Sequence, residues 1–245
     1  MKEIVVLPVP ETAARTNRLL ARLAGDVRES VLAQCDSCEL GMGDVLMGPG
    51  LRATHVWFPL DAIVSLGVPA AGKPHSLGVA MVGAEGMVGI PLLLGSSASS
   101  LRAVVVRQGV ALRMPVLALS VHLQHSADFR KRMQQYVLVS LAQLAQAALC
   151  TRYHRVEERL ARWLLMTQDR APRDPLHATH EFLAATLGVR RAGVTRAAAV
   201  LQRRQLIAYH RGVLTILNRD GLEDAACGCY AADCTAYASG MRRTG

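Results

Sequence analysis

Aromatic residues are scarce in this chain: they make up 4% of its 245 residues, against 51% hydrophobic overall. A chain this apolar is not intrinsically disordered, and one this poor in aromatics builds its core from aliphatic side chains. No run reaches the roughly 18 uncharged apolar residues that a transmembrane helix needs. The opening stretch "MKEIVVLPVPETAART" lacks the apolar segment and small-residue cleavage site of a secretory signal, so a cytoplasmic protein is expected. Cysteine is present, but not at zinc-finger spacing. Neither Cys35-x2-Cys38 nor Cys227-x-Cys229 with Cys234 has a second pair nearby, so four ligands would have to come from opposite ends of the chain. Free thiols are therefore expected at all six cysteines, Cys150 included, with no metal site. No Gly-x-Ser-x-Gly elbow, His-Glu-x-x-His helix or phosphate loop accompanies His75, His122 or His125, so catalysis is not expected.

Lysine is absent from Cys150 to Arg219, where thirteen arginines face five acids. That segment carries +8 of a chain whose net charge is +9, which implies an anionic partner. With no membrane span, nucleic acid is the expected one.

Three regions follow from the pattern. Residues 1–125 form the first region, opening with a helical lead-in whose face is Leu19, Leu20, Leu23 and Val27. From about 39 to 114, short apolar runs punctuated by Gly and Pro predict a small antiparallel roll. A glycine-rich insert, "GAEGMVGIPLLLGSSASS", interrupts it with a helix-like turn. Pro115 to Leu123 reads as a short helix. Ser126 opens a long one to Tyr153, with a heptad seam of Met133, Val137, Ser140, Leu144, Ala147 and Thr151. A dimer through that seam is expected, with Leu141 and Ala148 packing on the roll. A monomeric surface helix would explain the same stripe. Residues 154–238 form the third region. Its first helix points Val156, Leu160, Trp163, Leu164 and Thr167 inward and Arg155, Arg159 and Arg162 outward. In its last helix Asp220 and Glu223 form a capping box, and the tail beyond Ala238 is expected to be loose.

Within this third region, "HEFLAATLGVRRAGVTRAAAVLQ" reads as two helices broken at Gly188. A helix-turn-helix needs a small residue in its first helix, a residue tolerant of positive φ in the turn and an apolar seal in the second helix. Ala184, Gly188 and Val194 fill those places, with Leu183, Leu187 and Val189 buried beside them. "LIAYHRGVLTIL" follows as a hairpin wing turning at His210-Arg211-Gly212. The N-terminal part of the second helix enters the major groove in such a domain. Arg191 and Arg196 are therefore the expected base readers, with Thr195 beside them. Arg190, Arg203 and Arg204 are expected at phosphates. Thr179 should cap the first helix near a phosphate, and His210 and Arg211 should reach one from the wing.

Taken in order, these parts resemble the Crp/Fnr transcription regulators over about residues 18–225, most specifically in "EGMVGIPLLLG", "VEERLARWLL" and "FLAATLGVRRAGVTRAAAVLQRRQLI". The resemblance implies an α+β fold: an antiparallel cyclic-nucleotide-binding-like roll, a long dimerisation helix and a C-terminal winged helix-turn-helix. It implies a homodimer that binds double-stranded DNA, works with RNA polymerase and senses a small effector in the roll. Many relatives read their operator with a glutamate where this chain has Ala192. Relatives that bind cyclic AMP hold the ribose with a Gly-Glu and the phosphate with an arginine on the next strand. Here Gly89 is followed by Ile90, and Leu101, Arg102 and Ala103 place the arginine one residue off, on the other face of its strand. Gly83, Gly86, Gly89, Ile90, Leu101, Arg102 and Ala103 are the expected pocket residues. Cyclic AMP is not the expected ligand, and the cysteines do not match an iron–sulfur member of the family. No cofactor is assigned beyond an unidentified effector. An effector-binding interaction protein without DNA readout is the alternative.

Overall fold

The computed structural model describes residues 6–7, 16–69, 76–170 and 176–242. His75 and most of the loop after Arg170 lie outside them. In chain order the roll strands are β1 (Val6–Leu7), β2 (Asp36–Leu40), β3 (Val45–Met47), β4 (His55–Pro59), β5 (Ile63–Pro69), β6 (Ser76–Val82), β7 (Arg102–Arg107) and β8 (Gly109–Pro115). They make two antiparallel four-stranded sheets, ordered β1-β2-β8-β4 and β3-β7-β5-β6. Alternate residues of the strands fill the space between the sheets, led by Phe58, Leu112 and Met114, each fully buried. Among the described residues of the lead-in, Val6 pairs with Cys38 in β1, a 3-10 turn spans Leu20–Arg22, and α1 (Gly25–Leu32) is an α-helix. Its anchor is Asn17, whose carbonyl accepts from the N–H groups of Leu19 and Leu20 while its amide donates to Pro59 and Gly86 carbonyls. Four satisfied hydrogen bonds make that buried amide tolerable.

The insert carries the short helix α2 (Ile90–Leu93). At Gly86 any Cβ would overlap the Tyr136 ring, so glycine there lets the long helix settle on the roll. Pro115 stands at the N-cap of α3 (Val116–His125), and the Ser126 side chain accepts from Phe129 N–H to start α4 (Ala127–Tyr153). After a two-residue break comes α5 (Val156–Arg170). It buries the expected apolar face, but Arg159 and Arg162 turn inward rather than outward. Arg159 donates to the Leu187 carbonyl, and Arg162 holds Asp233 at 2.6 Å. Each arginine had a partner too distant in sequence to be anticipated.

The helix-turn-helix consists of α6 (His180–Leu187) and α7 (Arg191–Arg203). Its wing pairs β10 (Ile207–His210) with β11 (Val213–Ile216), and β9 (Leu176–His177) adds a third strand. The next helix, α8 (Arg219–Ala225), is capped by Asn218, whose side chain accepts from Gly221 N–H, and not by Asp220. Glu223 pairs with Arg219 at 2.9 Å instead of closing a capping box. The tail is not loose up to residue 242. A further helix, α9 (Cys229–Gly240), packs on α4 and α5, and Met241 is fully buried in the roll core. Two apolar cores result, one in the roll and one in the DNA-binding region, and Ile63 and Met81 of the roll belong to the second.

Candidate nucleic-acid interface

The turn of the helix pair has the backbone that the sequence called for. Gly188 sits at φ 65°, ψ 37°, in the left-handed region, and its N–H bonds back to the Ala184 and Ala185 carbonyls. Leu183, Ala184, Leu187 and Val194 are buried around it. Thr179 caps α6 by accepting from Phe182 N–H at 3.1 Å. In α7 the buried residues Val194, Ala197, Ala198 and Leu201 follow the i, i+3, i+4, i+7 spacing of one helix face. Arg191, Ala192, Thr195, Arg196 and Arg203 are exposed on the opposite side. Arg190 forms the N-cap without a side-chain cap bond, which leaves the first N–H groups of α7 open toward an anion.

The wing is a two-residue hairpin with His210 opposite Val213. Arg211 and Gly212 both have positive φ, 46° and 81°, as a type I′ turn requires. An arginine in that conformation is strained, so its presence at the tip is better explained by charge than by backbone preference. His210 is exposed beside it. The Gly212 carbonyl accepts from Ala178 N–H at 2.8 Å, tying the wing to the start of α6.

Two residues that the sequence reading passed over position this surface. His180 stacks on Tyr209 with ring centroids 4.6 Å apart, and its Nδ1 is 3.0 Å from Thr195 Oγ1. The Thr195 hydroxyl is also 3.1 Å from the Arg191 carbonyl, so it bridges the His180 ring and the first turn of α7. Burial, and secondarily the charge of Arg191, pushes the His180 pKa below the ordinary histidine value.

Apart from Arg152 and Arg155, exposed where α4 meets α5, and Arg173, outside the described residues, the arginines of the basic segment fall into two groups. Arg159, Arg162, Arg170 and Arg219 bond internally, to Leu187, Asp233, Glu85 and Asp169 respectively. Arg190, Arg191, Arg196, Arg203, Arg204 and Arg211 are exposed on the helix-turn-helix and wing. The charge available to an outside partner is concentrated there.

On α4 the residues of the expected seam differ in burial. Met133 is buried in the roll core, Val137, Ser140, Leu144 and Ala147 are half-buried, and Thr151 is exposed. Ser140 and Leu144 line the roll cavity, because the Tyr136–Gly86 contact fixes how the helix lies. Facing solvent instead are Leu138 (66% exposed), Leu141 (57%) and Leu149 (44%), with Ala148 exposed beside them. Leu141 and Ala148 therefore point away from the roll, not onto it.

That cavity, about 160 Å³, is lined by Met47, Leu66, Met81, Gly89, Ile90, Leu101 and Ala103 among others, with Tyr136, Ser140 and Gln143 from α4. Arg102 is exposed and absent from the lining. Gly83 and Gly86 are not part of it either, since Gly83 lies against Arg170 and Gly86 against Tyr136.

A helix-turn-helix with an exposed arginine face and a charged wing defines a DNA-binding protein of the winged-helix class. Residues 158–225 match the model of the Crp-like helix-turn-helix domain, and the chain has the Crp/Fnr fold, α+β with an N-terminal roll like those that bind cyclic nucleotides. FixK2 from Bradyrhizobium japonicum is 14% identical with a TM-score of 0.67, over 79% of this chain and 98% of that one. A Crp/Fnr-family transcriptional regulator from Thermus thermophilus is 22% identical with a TM-score of 0.63, over 78% and 97%. The c-di-GMP-responsive global regulator CLP of Xanthomonas campestris is 16% identical with a TM-score of 0.62, over 79% and 99%. No curated protein matches the chain in sequence. Among the described residues no helix is long and apolar enough to cross a membrane.

Proposed function

We propose that this protein is a homodimeric, cytoplasmic transcription regulator that reads double-stranded DNA with α7, works with RNA polymerase and catalyses no reaction. The observation that carries this reading is the exposed face Arg191–Thr195–Arg196 on a helix whose opposite face is sealed into the core. Arg191 and Arg196 are about one and a half turns apart, within reach of successive base pairs, and each guanidinium can take guanine O6 and N7 together. Arg190, Arg203, Arg204 and the wing residues His210 and Arg211 hold phosphates, as does the start of α6 at Thr179. The partner for Leu138, Leu141 and Ala148 is a second copy of α4. At 27 residues α4 is about 40 Å long, and pairing it across a two-fold axis sets two recognition helices for two half-sites. The roll cavity takes an effector less polar than cyclic AMP, since its lining offers hydroxyl and amide groups but no arginine for a phosphate.

Duplex binding measured against salt tests the proposal. Arg191→Ala and Arg196→Ala should each weaken a selected operator by about 1–3 kcal/mol and relax base preference. Arg203→Ala should weaken all sequences alike and flatten the salt slope. Equal losses on operator and random DNA for all three variants would refute the assignment of base readers.

A further inference from the structure

Four potential metal ligands, distant in sequence, meet at the joint between the long helix and the DNA-binding region. Cys150 lies in the last turn of α4, and His154 stands at its C-cap, four residues on. Cys229 begins α9, and Cys227 lies two residues earlier, before the Gly228 N-cap. Three sulfurs and one ring nitrogen all lie within 4.8 Å of one another. Cys150 Sγ is 3.5 Å from Cys227 Sγ, and Cys229 Sγ is 3.3 Å from His154 Nδ1. A tetrahedral zinc ion with bonds of about 2.3 Å to sulfur and about 2.0–2.1 Å to nitrogen would set these separations at about 3.8 and 3.5 Å. Sequence spacing gave no reason to group these four, and the fold closes a gap of 77 residues between Cys150 and Cys227.

We propose that Cys150, His154, Cys227 and Cys229 bind one zinc ion in a closed, structural Cys3His site. The donor set has the composition of such sites, and its softness excludes magnesium and calcium. Packing gives the cysteines no other role. They form a buried cluster of their own, separate from both apolar cores. Cys229 and Asp233 are the two residues that α9 buries, and Asp233 is held by Arg162, which leaves the start of the helix to the cysteine cluster. Three thiolates, a neutral imidazole and a divalent ion leave one negative charge, and Arg159, whose side chain bonds a neutral carbonyl, lines the same groove as Cys150 to offset it. The ion ties α9, which lies beyond the matched helix-turn-helix domain ending at residue 225, to the two-residue joint between α4 and α5. This site is independent of the DNA-binding proposal.

Elemental analysis of the full-length protein, purified under reducing conditions without chelator, tests the assignment. One zinc per chain is expected. It should be lost in Cys229→Ser and His154→Ala, and retained in His154→Cys, Cys234→Ser and Cys38→Ser. Should the ligand variants fail to fold, the wild-type protein supplies two further readouts. Cobalt(II) exchanged for zinc should give the absorption of tetrahedral thiolate coordination, and three thiols should become reactive only after metal removal. Absence of metal, zinc retained in Cys229→Ser, iron with acid-labile sulfide, or a Cys150–Cys227 disulfide in protein from metal-replete cells would each overturn it.

Discussion

Glu85 of the insert and Arg170 at the end of α5 form an ion pair at 2.9 Å, and each side chain is 6% exposed. Glu85 also accepts from Gly83 N–H, while Arg170 donates to the Met81 and Met166 carbonyls. Glu85→Gln is nearly isosteric and keeps one acceptor for Gly83, so it removes the charge and the hydrogen bond from Arg170 Nε–H, which then faces an amide NH2. Breaking one side of a buried pair costs about 3–5 kcal/mol, because the remaining ion stays desolvated. Arg170 keeps its two carbonyl partners, which places the expected loss at the lower end, about 3 kcal/mol. For a chain of this size that lowers Tm by about 6–12 °C. Replacing both partners, as in Glu85→Leu with Arg170→Met, should recover most of the loss, since neither charge is then stranded. Urea and thermal unfolding of Glu85→Leu, Arg170→Met and the double variant give the coupling directly. A Tm shift under about 2 °C for Glu85→Gln would show that water reaches the pair, and the inference from burial would be wrong.

Leu138→Glu combined with Leu141→Glu should place like charges across the two-fold axis and give a monomer by light scattering; an intact dimer would move the interface off α4. Calorimetric titration with cyclic AMP should show no binding below about 100 μM, roughly 5.5 kcal/mol, and a saturable micromolar isotherm would mean that Arg102 turns inward. Acid should destabilise the fold through His180, His55 and His122, whose pKa values all lie below the ordinary one, chiefly by burial. A lowered folded-state pKa means that the unfolded chain binds more protons, so stability is full above about pH 6.5 and falls as pH drops through the folded-state values. His180→Gln should show a shallower fall than wild type in thermal melts between about pH 7.5 and 5.5, and identical slopes would exclude His180 as a contributor.

The helix-turn-helix was legible because its signals are local. Ala184, Gly188 and Val194 lie within eleven positions, and each acts through its own backbone or through one neighbouring turn. The wing, the insert helix and both ends of α4 were legible for the same reason, from turn and capping residues. The facing of α4 was not. A 27-residue helix with apolar residues at mixed spacings of three and four carries two adjacent stripes, and sequence periodicity cannot choose between them. Tyr136 chooses, by fitting over a residue without a side chain fifty positions earlier. The arginines of α5 were misread for a related reason. Arg159 and Arg162 find the Leu187 carbonyl and the Asp233 carboxylate 28 and 71 residues away, so each looked like solvent-facing charge. Cys150 was paired with nothing in sequence, and its neighbours arrive only when α9 folds back.

The same long-range contacts constrain how the roll and the DNA-binding region communicate. Met81 lines the roll cavity on one side and belongs to the core of the DNA-binding region on the other. Its carbonyl receives Arg170 Nε–H at 3.1 Å, and its sulfur lies 3.6 Å from the Thr167 hydroxyl. Farther along β6, Gly78 lies against Thr186 of α6, and a Cβ on Gly188 would come within 2.6 Å of Leu77. One strand therefore touches the cavity, the end of α5 and the turn of the helix pair. Packed interiors do not deform continuously, so displacing Met81 from the cavity side has to be answered by a shift of α5 or α6. An effector that fills the cavity without moving Met81 would have no differential contact through this strand, and along this route it would leave DNA binding unchanged.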